Sequence, residues 1–255
     1  MTPAEPASTR RSRLVDIVFP GDTNHHQTLF GGVGLSFMDK VAFIAASRHA
    51  PADFVTASCE TVDFDKPARV GDIVEAVGHI VRVGRRSLAV EVDLLAEAPL
   101  TGDRWRCGGG TFNMVAVGGL ADPGGVLPPL DGASAPEDDE GMSDVVFPDQ
   151  TSHYGSLYGG NALAAMGKAA FVAATRHCRK TVVMVSTERV DFSRQIGTGD
   201  IVEVRPRVVA TGRTSITVEV ELWSEDPRKR ERTRCGSGRF VMVAIDADHR
   251  PVSAG

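Results

Sequence analysis

The 255-residue sequence predicts an α+β protein built from two copies of one domain, each a long buried helix wrapped by an antiparallel sheet of about five strands. Three observations predict it. The chain repeats itself at a fixed offset, each copy holds an Ala-rich segment that is apolar nearly all round, and the remainder of each copy is short alternating or β-branched runs between Gly and Pro.

The run VFPGDTNHHQTLFGG at 18–32 returns as VFPDQTSHYGSLYGG at 146–160, an offset of 128 residues. The same offset carries Val62-Asp63-Phe64 onto Val190-Asp191-Phe192 and Gly71-Asp72-Ile73-Val74-Glu75 onto Gly199-Asp200-Ile201-Val202-Glu203. It also superposes Gly84-Arg85 and Ser87 on Gly212-Arg213 and Ser215. No gap is needed from about residue 16 to 117, and nearly half of the positions are identical. The first domain is placed at 14–117 and the second at 143–247. Residues 118–142 between them are rich in Gly, Pro and acid, cannot bury a core of their own, and are expected to form a flexible linker.

Within the first copy a short strand is expected at 15–19, followed by a polar loop ending in Gly31-Gly32. Residues 33–50 contain no Pro and are apolar on nearly every side, the mark of a buried helix. Strands follow at 54–64, 72–84, 86–97 and 105–117, with Gly-Arg-Arg-Ser and Gly-Arg-Thr-Ser as tight hairpins in the two copies. Two such sheets set edge to edge would place the two helices about a pseudo-twofold axis.

Composition narrows the function classes. A net charge of −5 gives no basic surface for nucleic acid, so no nucleic-acid partner is expected. No run approaches the roughly 20 apolar residues of a membrane span, and 1–19 lack the apolar core of a signal peptide, so no membrane partner and a cytoplasmic location are expected. Cys59, Cys107, Cys178 and Cys235 form no CxxC pair, which points to neither a metal nor a redox motif.

The ordered set Phe19-Pro20, Thr23-Asn24-His25, Leu29-Phe30-Gly31-Gly32, Met38-Asp39, Val62-Asp63-Phe64, Gly71-Asp72 and Gly84-Arg85 with Ser87 resembles the hot-dog-fold acyl-CoA thioesterases. The duplication is similar to their tandem double hot-dog members. The resemblance implies hydrolysis of acyl-CoA to a free acid and coenzyme A, with coenzyme A as part of the substrate and no separate cofactor. It also implies a homo-oligomer of double hot-dog units, and active sites in which a loop Asn of one unit faces a helix carboxylate of another.

Asp39 is the leading catalytic candidate. A carboxylate beside Phe37, Met38, Val41, Phe43 and Ile44 is costly to ionise unless a partner or a site solvates it; the plain structural alternatives are an ion pair with Lys40 or with a cation of another strand, or a face open to water. Its role would be general base on water or nucleophile on the thioester carbonyl, and both stay open. Asn24 is either a turn residue or, by the resemblance, the group that orients water or the carbonyl. Gly31, Gly32, Gly159 and Gly160, before the two helices, offer backbone N–H groups for an oxyanion, or simply tight turns. Arg85, Ser87, Arg213 and Ser215 at the hairpins are candidates for contacting coenzyme A, with solvated hairpin charge as the alternative; Lys66 and Arg194 are weaker ones. His25 and His153 are read as loop residues, since no triad or metal-ligand spacing accompanies them.

The copies differ where it matters. At the common offset Asn24 becomes Ser152 and Asp39 becomes Gly167. If sites are shared across the pair, one combines Asp39 with Ser152 and the other Asn24 with Gly167. The first is expected to be the active one, because a carboxylate that activates water is harder to replace than a group that orients it. A hot-dog hydratase and a non-catalytic acyl-CoA binding protein are the competing functions.

Overall fold

The computed structural model describes residues 12–118, 125–130 and 141–255. The first unit runs β1 (Ser12–Ile17), α1 (Gly31–His49), β2 (Asp53–Phe64), β3 (Ile73–Val83), β4 (Ser87–Glu97) and β5 (Arg104–Gly118). The second repeats it as β6 (Met142–Val145), α2 (Gly159–Cys178), β7 (Thr181–Phe192), β8 (Ile201–Thr211), β9 (Ser215–Asp226) and β10 (Glu231–Ile245). Each unit is one antiparallel five-stranded sheet, in the order β1-β3-β4-β5-β2 and β6-β8-β9-β10-β7. The expected tandem hot-dog architecture is therefore present.

Two boundaries differ from expectation. The first strand ends at Ile17 because Phe19 caps a 3-10 turn at Pro20–Asp22, with the Phe19 N–H donating to Asp22 Oδ2 at 3.0 Å. The helices start at Gly31 and Gly159, so the glycine pairs form their first turns instead of preceding them. Of the linker expected at 118–142, residues 119–124 and 131–140 lie outside the described residues. Residues 125–130 lie against the first unit: Leu127 is buried in its core, its N–H donating to the Arg85 carbonyl at 2.9 Å, and the Pro128 carbonyl meets His49 Nε2 at 2.8 Å.

The helix in each unit lies against one face of its sheet. Met38, Val41, Ala42 and Ala46 of α1 pack on Val74, Val90, Val92, Leu94 and Met114, all essentially without solvent contact. Small residues on α1 let the sheet close around it, and burying each large side chain contributes about 1.5–3 kcal/mol.

The units meet along β1 and β6, one edge of each sheet, without ladder hydrogen bonds between them. Contacts there come in pairs related by the repeat offset. Ile17 and Ile73 join the core around Val172 of α2, while Val145 and Ile201 cluster with Ile44 of α1. Lys168 Nζ meets Asp16 at 2.7 Å, and Lys40 Nζ meets Asp144 at 3.0 Å and lies 5.6 Å from the Phe147 ring centre. Deeper in the seam, Arg48 Nε donates to Glu225 at 2.9 Å, with Glu203 3.6 Å from its Nη2. The counterpart Arg176 donates to Glu97 at 2.7 Å and lies 3.7 Å from Glu75. Arg48, Glu203 and Glu225 side chains are 7%, 5% and 8% exposed.

Arg48→Met should lower stability by about 3–5 kcal/mol in urea unfolding, because it strips the guanidinium from Glu225 in a desolvated seam. The seam should also weaken in acid. Burial raises the Glu97 carboxyl, but hydrogen bonds from Arg176 and Arg179 outweigh it and hold the group below its ordinary value of 4.5. Its contribution is complete above that value and is lost as pH falls through the lower folded one, a loss readable in melts across the acid range.

Candidate active site

Asp39 lies on the middle turns of α1. The stripe Phe37, Lys40, Ile44 and Arg48 faces the second unit, through the Lys40, Ile44 and Arg48 contacts just described and the small cavity that Phe37 and Lys40 line with Asn161 and Gln150. At 100° per residue Asp39 points well away from that stripe, toward β2 at the other edge of the sheet. There its carboxylate accepts a hydrogen bond from the Thr56 hydroxyl at 2.5 Å, and Thr56 Oγ1 also sits 3.6 Å from Met114 Sδ. Asp39 is half-buried, whereas Thr56 and nearly all of β2 after Phe54 are exposed. Sequence reasoning missed Thr56. Its signal was available in the repeat, since the two departures Asp39 to Gly167 and Thr56 to Met184 occur together.

The second unit holds a different arrangement at the equivalent place. A Cβ on Gly167 would lie 2.9 Å from Met184 Cε, so the methionine side chain occupies the space in which a carboxylate would stand. The acid–hydroxyl pair of the first unit is replaced by an apolar contact.

Asn24 organises its own loop. Its Oδ1 accepts from the His26 N–H at 2.9 Å and the Thr28 N–H at 3.3 Å, and its Nδ2 donates to Thr28 Oγ1 at 2.9 Å. The amide has two hydrogens, so one remains for a ligand. Ser152 holds the matching loop through Ser156 Oγ at 3.4 Å and the Tyr154 N–H at 3.3 Å, without an amide donor. Among the described residues no hydrogen bond joins Asp39 to Asn24 or to Ser152, so the chain by itself does not bring these candidates together. The His25 and His26 rings lie side by side, their centres 3.9 Å apart and their planes tilted by 42°.

The Phe30 carbonyl takes the N–H groups of Val33 and Gly34, leaving those of Gly31 and Gly32 without a partner among the described residues. In α2 the Tyr158 carbonyl takes Asn161 and Ala162, which leaves Gly159 and Gly160 in the same state. Gly32 and Gly160 also have a steric reason to be glycine: a Cβ would lie 2.7 Å from the ring of Phe30 or Tyr158. Both helix starts therefore present pairs of free donors at the positive end of a helix dipole. Beside Gly31 opens a cavity of about 270 Å³, lined by Leu29, Phe64, Lys66, Ala68, Leu94 and Cys107 among others. Burial pushes the Cys107 thiol up to about 11, which makes it an inert wall of that cavity.

Arg85 and Ser87 lie elsewhere. Their hairpin is tied to Leu127 beside the C-terminal end of α1, a helix about 28 Å long at 1.5 Å per residue, and so lies far from Gly31. Arg213 is anchored in the same way, its carbonyl accepting from the Ala254 N–H at 2.9 Å, and Ser215 closes the hairpin through Gly212. All four residues are thus remote from the helix start within their own units.

The model of the thioesterase superfamily matches residues 26–102 and again 154–231, one match in each unit. The chain belongs to the thioesterase superfamily. This thioesterase-superfamily chain is similar to the crystal structure of an acyl-CoA hydrolase from Agrobacterium tumefaciens, with 50% identity, a TM-score of 0.86, and coverage of 95% of this chain and 97% of that one. It is 40% identical over 106 residues to an uncharacterized acyl-CoA thioester hydrolase of Bacillus subtilis, a match that spans 42% of this chain and 62% of that relative. It is 22% identical over 286 residues to the cytosolic acyl coenzyme A thioester hydrolase of Rattus norvegicus, covering 92% of this chain and 74% of that protein.

Thr56→Val should leave the fold intact and lower thioester turnover about ten- to a hundredfold, the worth of a hydrogen bond to a charged group. Steady-state kinetics should place the loss in kcat, with KM near that of the parent.

Proposed function

We propose that this chain hydrolyses acyl-CoA thioesters, releasing a free acid and coenzyme A, with Asp39 as the group that starts the reaction. The observation that carries this reading is the Asp39 carboxylate, fixed by the Thr56 hydroxyl at 2.5 Å on an open sheet edge. The names borne by the Agrobacterium, Bacillus and rat relatives support the substrate class, and the rat relative's name supports a cytosolic setting. No helix of the described residues is long and apolar enough to cross a membrane.

Two routes use the same geometry. As a base, Asp39 takes a proton from water, and the hydroxide adds to the thioester carbonyl. As a nucleophile, its oxygen adds directly, coenzyme A leaves as the thiolate, and water then cleaves the mixed anhydride. Either route develops an oxyanion, and the unpaired N–H groups of a helix start are suited to hold it. Those donors come from a unit other than Asp39's own. Gly31 and Asp39 are eight residues apart on one helix, about 12 Å along its axis, too far for one carbonyl carbon to meet both. An acyl-CoA must therefore lie between two units. Arg85, Ser87, Arg213 and Ser215 belong to this proposal as contacts for coenzyme A across an interface between copies, where exposed guanidinium groups suit phosphates.

Exposed strands at both outer edges support a homo-oligomer. Val55 and Phe64 of β2, and Val183, Val185 and Phe192 of β7, are solvent-exposed on strands whose outer backbone groups are unpaired, a surface that natural proteins rarely leave open. Asp39→Asn should lower kcat for acyl-CoA by about 10²–10⁴-fold while the melt stays that of the parent. Free-thiol release is the assay, and near-parental turnover in this variant would sink the assignment.

A further inference from the structure

We infer that Arg106 is a positioning residue for the thioester site: it grips Asp63 and Asp65 on either side of Phe64 and so fixes the wall of the cavity beside Gly31. The inference rests on the hydrolase reading above. It names a residue that acts on that site without touching the reacting atoms.

Arg106 stands on β5 and gathers the carboxylates of Asp63, Asp65 and Asp93. Its Nη1 and Nη2 donate to the two oxygens of Asp63 at 2.9 and 3.1 Å, a bidentate pair. Nη1 also meets Asp65, and Nε donates to Asp93 of β4 at 3.0 Å. Gly109 makes room for the guanidinium, since a Cβ there would lie 2.7 Å from Nη2. The hydrogen bonds from Arg106 hold the Asp63 carboxyl below its ordinary value of 3.8, so it stays ionised at neutral pH. The four side chains are between 40% and 50% exposed, and ion pairs so open to water contribute little to overall stability. What the cluster sets is local geometry.

The geometry concerned is the end of β2. Glu60 pairs with Thr111 and Asp63 with Gly109, so β2 carries one extra residue there, a bulge. Thr61 within it has φ +38°, a left-handed conformation that a β-branched residue rarely enters. Such a conformation persists only where the surroundings over-determine it, and a bulge re-aims the side chains next to it. Arg106 holds the strand immediately beyond the bulge, and the side chain re-aimed is Phe64. Its ring lies over the start of α1, where a Cβ on Gly31 would meet it at 3.7 Å and one on Gly34 at 3.2 Å. Phe64 to Ala68 then form one wall of the cavity. The far end of that wall is tied as well, the Ala68 carbonyl accepting from the Leu29 N–H at 2.8 Å.

The second unit lacks this grip. Arg234, the counterpart of Arg106, meets Glu221 at 3.0 Å, while Asp191 pairs with Arg189 instead. Ser193 replaces Asp65 and donates to the Cys235 carbonyl at 3.2 Å. Ser237 stands where Gly109 makes room, and Arg189, in the place of Thr61, is not left-handed. Both sheets share their strand order and the bulge, so a clamp that served only the sheet would be as useful in either. It is present in the unit that keeps Asp39 and Thr56.

The test reads KM apart from kcat, by free-thiol release from a panel of acyl-CoAs. Arg106→Ala should raise KM about tenfold and leave kcat and the melt near those of the parent, the opposite signature to Thr56→Val. Arg106→Lys should recover only part of the loss, because an ammonium cannot fork to several carboxylates. Asp65→Ser is decisive in sign. It removes a negative charge beside an anionic substrate, so charge alone would lower KM, whereas a loosened wall raises it. Arg234→Ala should leave KM unchanged. Calorimetric Kd values for non-hydrolysable thioether analogues should rise in the same order, a readout independent of turnover. A parental KM and Kd in Arg106→Ala, a fall of either in Asp65→Ser, or an equal rise in Arg234→Ala would overturn the assignment. A parental protein that binds the analogues but releases no thiol would instead overturn the hydrolase reading.

Discussion

The buried seam between the units is the constraint on which the rest depends. Arg48 reaches out of α1 to Glu203 on β8 and Glu225 on β9, and Arg176 returns the favour to Glu75 and Glu97 on β3 and β4. Desolvating such charges costs several kcal/mol each, so these pairs are not obviously better than a purely apolar seam. What they add is a demand for register. Each guanidinium must find two carboxylates on adjacent strands of the other unit, while Ile17, Ile73, Val145 and Ile201 exclude water around them. Sliding one sheet past the other would strand several buried charges at once. Two of the four sheet edges are thereby used up, and the two that remain carry opposite contents.

That difference gives the duplication its meaning. Both units keep the helix, the strand order, the free N–H groups at the helix start and the seam residues, which are the parts needed to fold and dock. Among the described residues only the first keeps the acid–hydroxyl pair, Asp39 with Thr56. In the second, Met184 lies over Gly167, so an apolar contact has replaced the acid–hydroxyl pair, and Ile196 stands in the core where the first unit has the smaller Ala68. A vacated carboxylate position left empty would be a water-exposed hole. Filling it with a flexible thioether restores contact at little cost in strain.

The fold was legible in the sequence to a degree that the site was not. An ungapped offset of 128 residues is a property of the letters alone, and the apolar run of α1 and the strands at 54–64 and 86–97 follow from residue type. The helix start was misplaced because glycine disfavours helices locally, and only the Phe30 ring lying over Gly32 explains why glycine is required in the first turn. The seam was not legible because its partners, Arg48 and Glu225, are 177 residues apart, and nothing local marks Glu225 as buried. Asp39 stood out by its apolar neighbours. Its partner Thr56 did not, since a threonine in an alternating strand is what any strand contains. The sequence also could not say which sheet edge docks inside the chain, and that choice decides whether Asp39 can meet Ser152.

Helix geometry sets the final limit. A carboxylate in the middle of a helix and donors at its start are held rigidly apart by the same backbone that positions each of them. The fold therefore cannot close a carbonyl-sized site within one unit. It can do so only by opposing two units so that the start of one helix lies near the middle of the other. A duplicated chain could satisfy this internally by docking its two halves through the edges that carry the site. This chain docks them through the opposite edges, so its internal contact fixes the two units against each other and leaves the β2 edge, where Asp39 and Thr56 lie, outside that contact. The β2 edge carries a carboxylate and a hydroxyl, whereas at the β7 edge Met184 lies against Gly167, so the two outward edges differ in chemistry while the two inward ones match in their buried Arg–Glu pairs.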